Sequence, residues 1–390
     1  MGRARELIVS KVLESCPHPS LVTMALFTSS QIITLSTGHS YSYLYNQPAT
    51  GCNPTLLFLH GFPSSAYDFR HQVAHFTSLG YGVLVPDLLG YGGTSQPLDV
   101  QKYSMTRMAQ EIIEILDHEN ISRVVGISHD WGSALLSTLL RRHHQRFDGF
   151  VFMATYYGAA HPYSGDSVYD YEKLKVMSLE KFGFNAFGHT VFLGDAERAG
   201  RLLDENIESF YDLVWAKDQE LWKKYFRREG GIEEWVAKGK RCETADWVGG
   251  GHGDQGEDER SKIIKSWKMG GGFTPKCMWY KQLLDGVSVA DEAGTYRVEP
   301  PFHEAGALID KLVADNPTVP AKLSQPILLM IEQKDVKGRG ERAEEVAQTV
   351  SQNVYVESCD TYHFMMLENP QGTNTILEKF FSQQVGRLCG

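Results

Sequence analysis

The chain is short of cysteine, of long apolar runs and of positive charge, and each shortage removes a class of protein. Its six cysteines (Cys16, Cys52, Cys242, Cys277, Cys359 and Cys389) are scattered through 390 residues. None pair at the spacings of a zinc site or a disulfide framework, so neither is expected. No apolar run is long enough to cross a bilayer. Acidic residues outnumber basic ones 48 to 38, a net charge of -10, and no basic stripe offsets it. A nucleic-acid partner is therefore not expected. The first 16 residues alternate charge with short apolar runs and lack the long hydrophobic region of a signal peptide, so the expected compartment is cytoplasmic. Repeats and low-complexity segments are absent too. What is present, 42% hydrophobic and 22% charged residues, suits a globular enzyme with one large domain and an inserted smaller one.

Strand and helix patterns alternate through the first part of the chain. After a motif-free arm at 1–28, residues 31–36 and 41–45 read as antiparallel strands about the Thr37-Gly38-His39 turn. The apolar runs 55–60, 82–86, 124–127 and 150–154 read as strands buried on both faces. Helices are expected at 66–76, 103–117 and 131–140. Such alternation builds a doubly wound, mostly parallel sheet, with functional residues beyond the carboxyl ends of its strands. From 156 to 323 the pattern turns helical and aromatic, with six of the seven tryptophans (Trp215, Trp222, Trp235, Trp247, Trp267 and Trp279). This reads as an inserted lid that has its own core and lines the pocket it closes. Residues 249–260, rich in glycine and acid, are expected as a mobile surface loop. Strands resume at 326–331 and 353–357, with helices at 341–350 and 370–383. The expected organisation is an arm (1–28), a first core segment (29–155), a helical cap (156–323) and a second core segment (324–390).

The chemistry centres on Ser128-His129-Asp130-Trp131-Gly132. A sharp strand-to-helix turn needs small residues two positions either side of its apex, and Ser128 and Gly132 supply them. The pattern resembles the nucleophile elbow of the α/β-hydrolase fold, with Asp where the usual motif has Ser. On this motif alone Asp130 fits equally as a cap on the following helix. The rest of the chain favours the nucleophile. Asp335 follows the strand at 326–331 and His363 the strand at 353–357, giving the order nucleophile, acid, histidine. A carboxylate is already ionised at neutral pH and needs no base to attack. It suits displacement at an sp3 carbon, leaving an alkyl ester that a His–Asp pair can hydrolyse with water. The oxyanion of that hydrolysis needs preorganised N–H donors, which this fold draws from the residue after the nucleophile and from an early loop. Here those are the backbones of Trp131 and of Phe62, in His60-Gly61-Phe62-Pro63.

Together these residues resemble the epoxide hydrolases of the α/β-hydrolase superfamily, from about Gln31 to the C-terminus. The motifs that carry the resemblance are His60-Gly61-Phe62-Pro63, the loop at 87–95, the elbow, Asp335, and His363 with Leu367-Glu368-Asn369-Pro370. A lid segment, Gly272-Phe273-Thr274-Pro275-Lys276-Cys277-Met278-Trp279-Tyr280, adds to them. The resemblance implies an α/β-hydrolase core with a helical cap, a small apolar epoxide and water as reactants, and no cofactor or metal. It implies that Tyr280 protonates the epoxide oxygen and that Trp279 and Phe187 bind substrate. One position departs from the family. Its second lid tyrosine falls in Phe-Gly-Tyr-x-x-Phe, where this chain has Phe187-Gly188-His189-Thr190-Val191-Phe192, making His189 the second donor. Tyr156, Tyr157 and Tyr211 are the other phenols that could serve. Related reactions stay open. A haloalkane or haloacid dehalogenase would use the same Asp, holding halide with Trp131 or with His189, Trp279 and Tyr280. A biosynthetic relative with altered chemistry at His189 would eliminate or cyclise. A catalytically dead receptor on this fold would need none of the three triad residues, and a homodimer is left open.

Overall fold

The computed structural model describes residues 30–49, 53–155, 170–248, 258–288, 323–334 and 339–386. Eight strands make one sheet: β1 (Gln31–Thr34), β2 (Ser40–Asn46), β3 (Thr55–Leu59), β4 (Gly82–Pro86), β5 (Val124–His129), β6 (Phe147–Met153), β7 (Ile327–Glu332) and β8 (Val354–Cys359). Their order is β1-β2-β4-β3-β5-β6-β7-β8. The first two pairings are antiparallel and every pairing from β4 to β8 is parallel. The three central strands are buried along their whole length, which their unbroken apolar runs require. Edge strand β1 alternates between half-buried and exposed residues.

The core helices begin where local chemistry can satisfy their first amides. Residues 66–69 form a 3-10 turn and α1 (Arg70–Ser78) follows it. α2 (Met105–His118) starts after Ser104, whose hydroxyl accepts from Arg107 N. α3 (Trp131–His143) follows β5 with Asp130 alone between them. β6 starts three residues ahead of its apolar run because Phe147 is buried and Asp148 is paired with Arg123.

Between β6 and β7 the described chain is helical: α4 (Tyr171–Phe182), α5 (Gly188–Gly194), α6 (Ala196–Glu205), α7 (Ile207–Val214), a π-helical turn at Trp222–Phe226, α8 (Gly231–Ala237), α9 (Glu259–Lys268) and α10 (Phe273–Leu284). Glu259 and Arg260, expected in a loop, instead open α9. Asp258 caps that helix by accepting from Ser261 N, and Arg260 reaches the buried Asp212 at 2.9 Å. The arm at 1–28 and residues 249–257 lie outside the described residues. Trp215 and Trp267 stack at the centre of this cap, and Trp215 also meets Phe364 of the core at 4.4 Å.

α10 is fastened to the sheet side at three places. Gln96 Nε2 donates to Met269 O at 3.2 Å, just ahead of the helix. Within it, Trp279 Nε1 donates to Leu89 O at 2.8 Å. Just beyond it, Ser288 Oγ accepts from Met105 N at 3.1 Å. The chain closes with α11 (Arg339–Val350), α12 (Met365–Glu368) and α13 (Pro370–Phe380), the last capped by Asn369. Among the described residues no helix is long and apolar enough to cross a membrane.

Candidate active site

Asp130 is a one-residue turn with φ 52° and ψ -122°, a conformation a residue with a side chain seldom adopts. It stands at the N-cap position of α3, yet its side chain makes no capping bond. The turn fits because its neighbours are glycine. A Cβ on Gly132 would lie 2.1 Å from Leu59 O, and one on Gly61 would lie 2.4 Å from Asp130 Cβ.

The carboxylate is held from two sides. Oδ1 accepts from Phe62 N at 2.9 Å, and Oδ2 lies 3.7 Å from His363 Nε2. Burial alone would push the Asp130 carboxyl up. The neighbouring His363 imidazole and the hydrogen bond from the Phe62 amide outweigh it and hold the group below the usual carboxylate range. Asp130 is therefore an anion at neutral pH, with an N–H already aimed at one oxygen.

Three further polar residues locate these groups. His60 is fully buried, its Nδ1–H donating to Gly61 O and its Nε2 accepting from Leu88 N, both at 3.0 Å. It is thus a neutral strut tying the Phe62 loop to the loop after β4. His129, the last residue of β5, donates from Nε2 to His363 O at 2.9 Å. Burial, with His363 adding to it, pushes His129 down to about 3, so it too is neutral. Glu368 accepts from Tyr362 N at 2.9 Å and from Phe364 N at 3.1 Å, the amides on either side of His363. Burial leaves its carboxyl above the ordinary value despite those bonds.

Aromatic rings form the opposite wall. Tyr280, on α10, meets the Phe62 and Trp131 rings edge-on at 5.1 Å each and the His189 ring at 5.8 Å. His189, on α5, also faces Phe226 at 5.4 Å. Phe226 stacks on Trp222 at 4.6 Å, and Trp222 reaches the His363 ring at 5.6 Å. A continuous line of rings thus runs over the site from His363 to Tyr280. Among the described residues no group of His, Cys, Asp and Glu could hold a metal ion.

A family described as alpha/beta hydrolase fold matches residues 54–185. The crystal structure of Epoxide Hydrolase A from Mycobacterium thermoresistibile superposes with a TM-score of 0.66 at 20% identity, covering 91% of this chain and 98% of that one. Potato (Solanum tuberosum) epoxide hydrolase I gives a TM-score of 0.59 at 19% identity, with 91% and 99% covered. The chain has the α/β-hydrolase fold. Sequence relatives align over shorter segments. Epoxide hydrolase A of Mycobacterium tuberculosis is 39% identical over 83 residues, 21% of this chain and 26% of that protein. Epoxide hydrolase 2 of Siraitia grosvenorii is 32% identical over 112 residues, 29% and 35% of the two chains. The chain thus aligns with about a quarter to a third of these relatives' length.

On this α/β-hydrolase frame, Asp130, His363, Phe62, Trp131, Tyr280 and His189 come together. Asp335 lies outside the described residues. Lys334, one residue ahead of it, donates its amide to Thr361 O at 3.1 Å, two residues from His363. Trp279 departs from its expected part. It is fully buried and its indole N–H is committed to Leu89 O, so it fastens the cap to the core and has no donor left for substrate. Phe187 precedes α5, where its carbonyl accepts from Thr190, and its place is set by that turn. Tyr211 packs against Trp215 and Trp267 beneath Arg260, inside the cap and apart from Tyr280. Tyr156 and Tyr157 lie outside the described residues. His60, His129, Glu368 and Trp222 stand within motifs or patterns visible in the sequence, but no role could be read for them there, because each acts through a partner distant in the chain or on a neighbouring loop.

Proposed function

We propose that the chain opens an apolar epoxide to a vicinal diol, with Asp130 as nucleophile. One observation carries the reading: an ionised carboxylate at a strained turn, with the Phe62 N–H on one oxygen and His363 beside the other. In the first step an Asp130 oxygen attacks an epoxide carbon. The carbon–oxygen bond of the ring breaks, and Tyr280, with His189 next to it, donates a proton to the departing oxygen. In the second step His363 takes a proton from water as the water oxygen bonds to the ester carbonyl carbon. The Phe62 and Trp131 amides receive the oxyanion. Collapse breaks the acyl carbon–oxygen bond, and the diol leaves with the proton returned by His363; the water's other proton, left on the Asp130 carboxyl, goes back to Tyr280 and restores both groups. Asp335 is the expected partner of the imidazole. The names of the relatives and structural neighbours support the substrate class.

The halide reading is weaker here because Trp279, one of its donors, already bonds Leu89 O. A single turnover of an aryl epoxide in heavy-oxygen water tests the proposal. Label recovered in the Asp130 peptide is the expected result. Label found only in the diol would mean direct attack by water and would overturn it.

A further inference from the structure

We infer that His129 and Glu368 are positioning residues for the second step, clamping the main chain at His363 by its carbonyl and by the amides either side of it. The inference rests on His363 being the base of the proposed reaction. Glu368 spans the loop: Oε2 accepts from Tyr362 N at 2.9 Å and Oε1 from Phe364 N at 3.1 Å. One carboxylate thus bridges amides two residues apart and leaves His363 at the crest between them. His129 Nε2–H holds the carbonyl of His363 itself at 2.9 Å.

His129 is also the residue immediately before Asp130. The strand end that presents the nucleophile therefore carries the donor that locates the base, with a single peptide unit between them. Packing alone does not account for an imidazole at this position. A neutral imidazole has one N–H, and its use on His363 O leaves Nδ1 buried without a hydrogen-bond partner. An apolar side chain would fill the space between the His363 and Phe364 rings, 4.7 and 5.4 Å away, without stranding a nitrogen. What the imidazole adds is the donor. Attack by Asp130 needs only its own carboxylate and the acid opposite, whereas hydrolysis needs His363 within reach of a water proton. Loss of the clamp should therefore fall on the second step.

The test is a rapid-quench single turnover of styrene oxide on the full chain, with the alkyl-enzyme followed by mass spectrometry so that its formation and decay are read separately. His129→Leu should form the ester within about threefold of the parent rate and hydrolyse it about 10- to 100-fold more slowly, the effect of a misplacement near 1 Å. His129→Gln, whose side-chain amide keeps a donor at similar reach, should recover most of the loss. Glu368→Gln keeps one acceptor for two amides and should fall between the parent and Glu368→Ala. Both steps slowing together, or hydrolysis unchanged in His129→Leu and Glu368→Ala, overturns the clamp. If His129→Leu does not fold, the two Gln variants decide by the same ratio of formation to decay. A His363→Gln control separates the layers of the argument. Ester accumulating there supports the base, while no ester in either control or parent overturns the reaction itself and the clamp with it.

Discussion

On the sheet side of the site each working group is located by a hydrogen bond with a named partner: Asp130 by Phe62 N–H, His363 by His129 and Glu368, the Phe62 loop by His60. On the cap side Tyr280 and His189 meet Phe62, Trp131 and Phe226 ring against ring. Hydrogen bonds fix distance and direction and lose most of their value when bent. Ring contacts tolerate a range of angles and can be refilled by side chains of similar volume. The sheet side is thus specified for one chemistry. Where these rings meet, the cap side is matched by shape.

The largest effect that would sharpen this contrast is on turnover. Asp130→Ala should lower steady-state diol formation by about 10⁴-fold or more, since no other group replaces the nucleophile. Tyr280→Phe should cost about 10²-fold, the loss of one general acid, and His189→Phe less than that because Tyr280 stays in place. A Tyr280→Phe loss as deep as that of Asp130→Ala would break the comparison.

A smaller effect concerns stability. Gly132→Ala sets a methyl against Leu59 O and should lower the free energy of unfolding by about 1–3 kcal/mol in urea titrations. Val191→Ala, on the exposed face of α5, should stay within about 0.5 kcal/mol. Equal losses would mean that the cap is as tightly specified as the elbow.

A further effect on stability is its pH dependence. In the unfolded chain His129 takes a proton near its ordinary 6.5, and in the folded chain burial holds it at about 3. Between those values the unfolded state binds a proton that the native state does not, so stability declines as pH falls from 6.5 towards 3. His129→Gln removes that contribution. The shift of its urea midpoint between about pH 7 and about pH 4.5 should be smaller than the parent's. An unchanged shift would show that the imidazole is not held neutral.

Much of the sheet side was legible in the sequence because its signals are local. β4 coincides with its apolar run, and the other strands differ from theirs by a few residues at the ends, where caps and paired charges such as Asp148 decide. Asp130 was readable as an apex because small residues flank it. Its lack of a capping bond, which counts against the helix-cap reading, was not readable. Trp279 shows the opposite limit. Its spacing beside Tyr280 suggested a wall of the site, but the fate of its N–H depends on Leu89, 190 positions away. His129 and Glu368 escaped for the same reason, since the sequence names a donor or acceptor and only the fold names its partner.

The three fastenings of α10 tie one wall of the site to the sheet. Gln96, Leu89 and Met105 hold the helix before, within and after its length, so the Tyr280 hydroxyl is carried on the same frame as the sheet. α5 belongs with that frame, since its His189 meets the Tyr280 ring and its Gly194 lies against Leu284 of α10. α4 is different: Ser178 alone of its residues is buried. Substitutions along α4 can therefore accumulate in small steps while the residues about Asp130 keep their places.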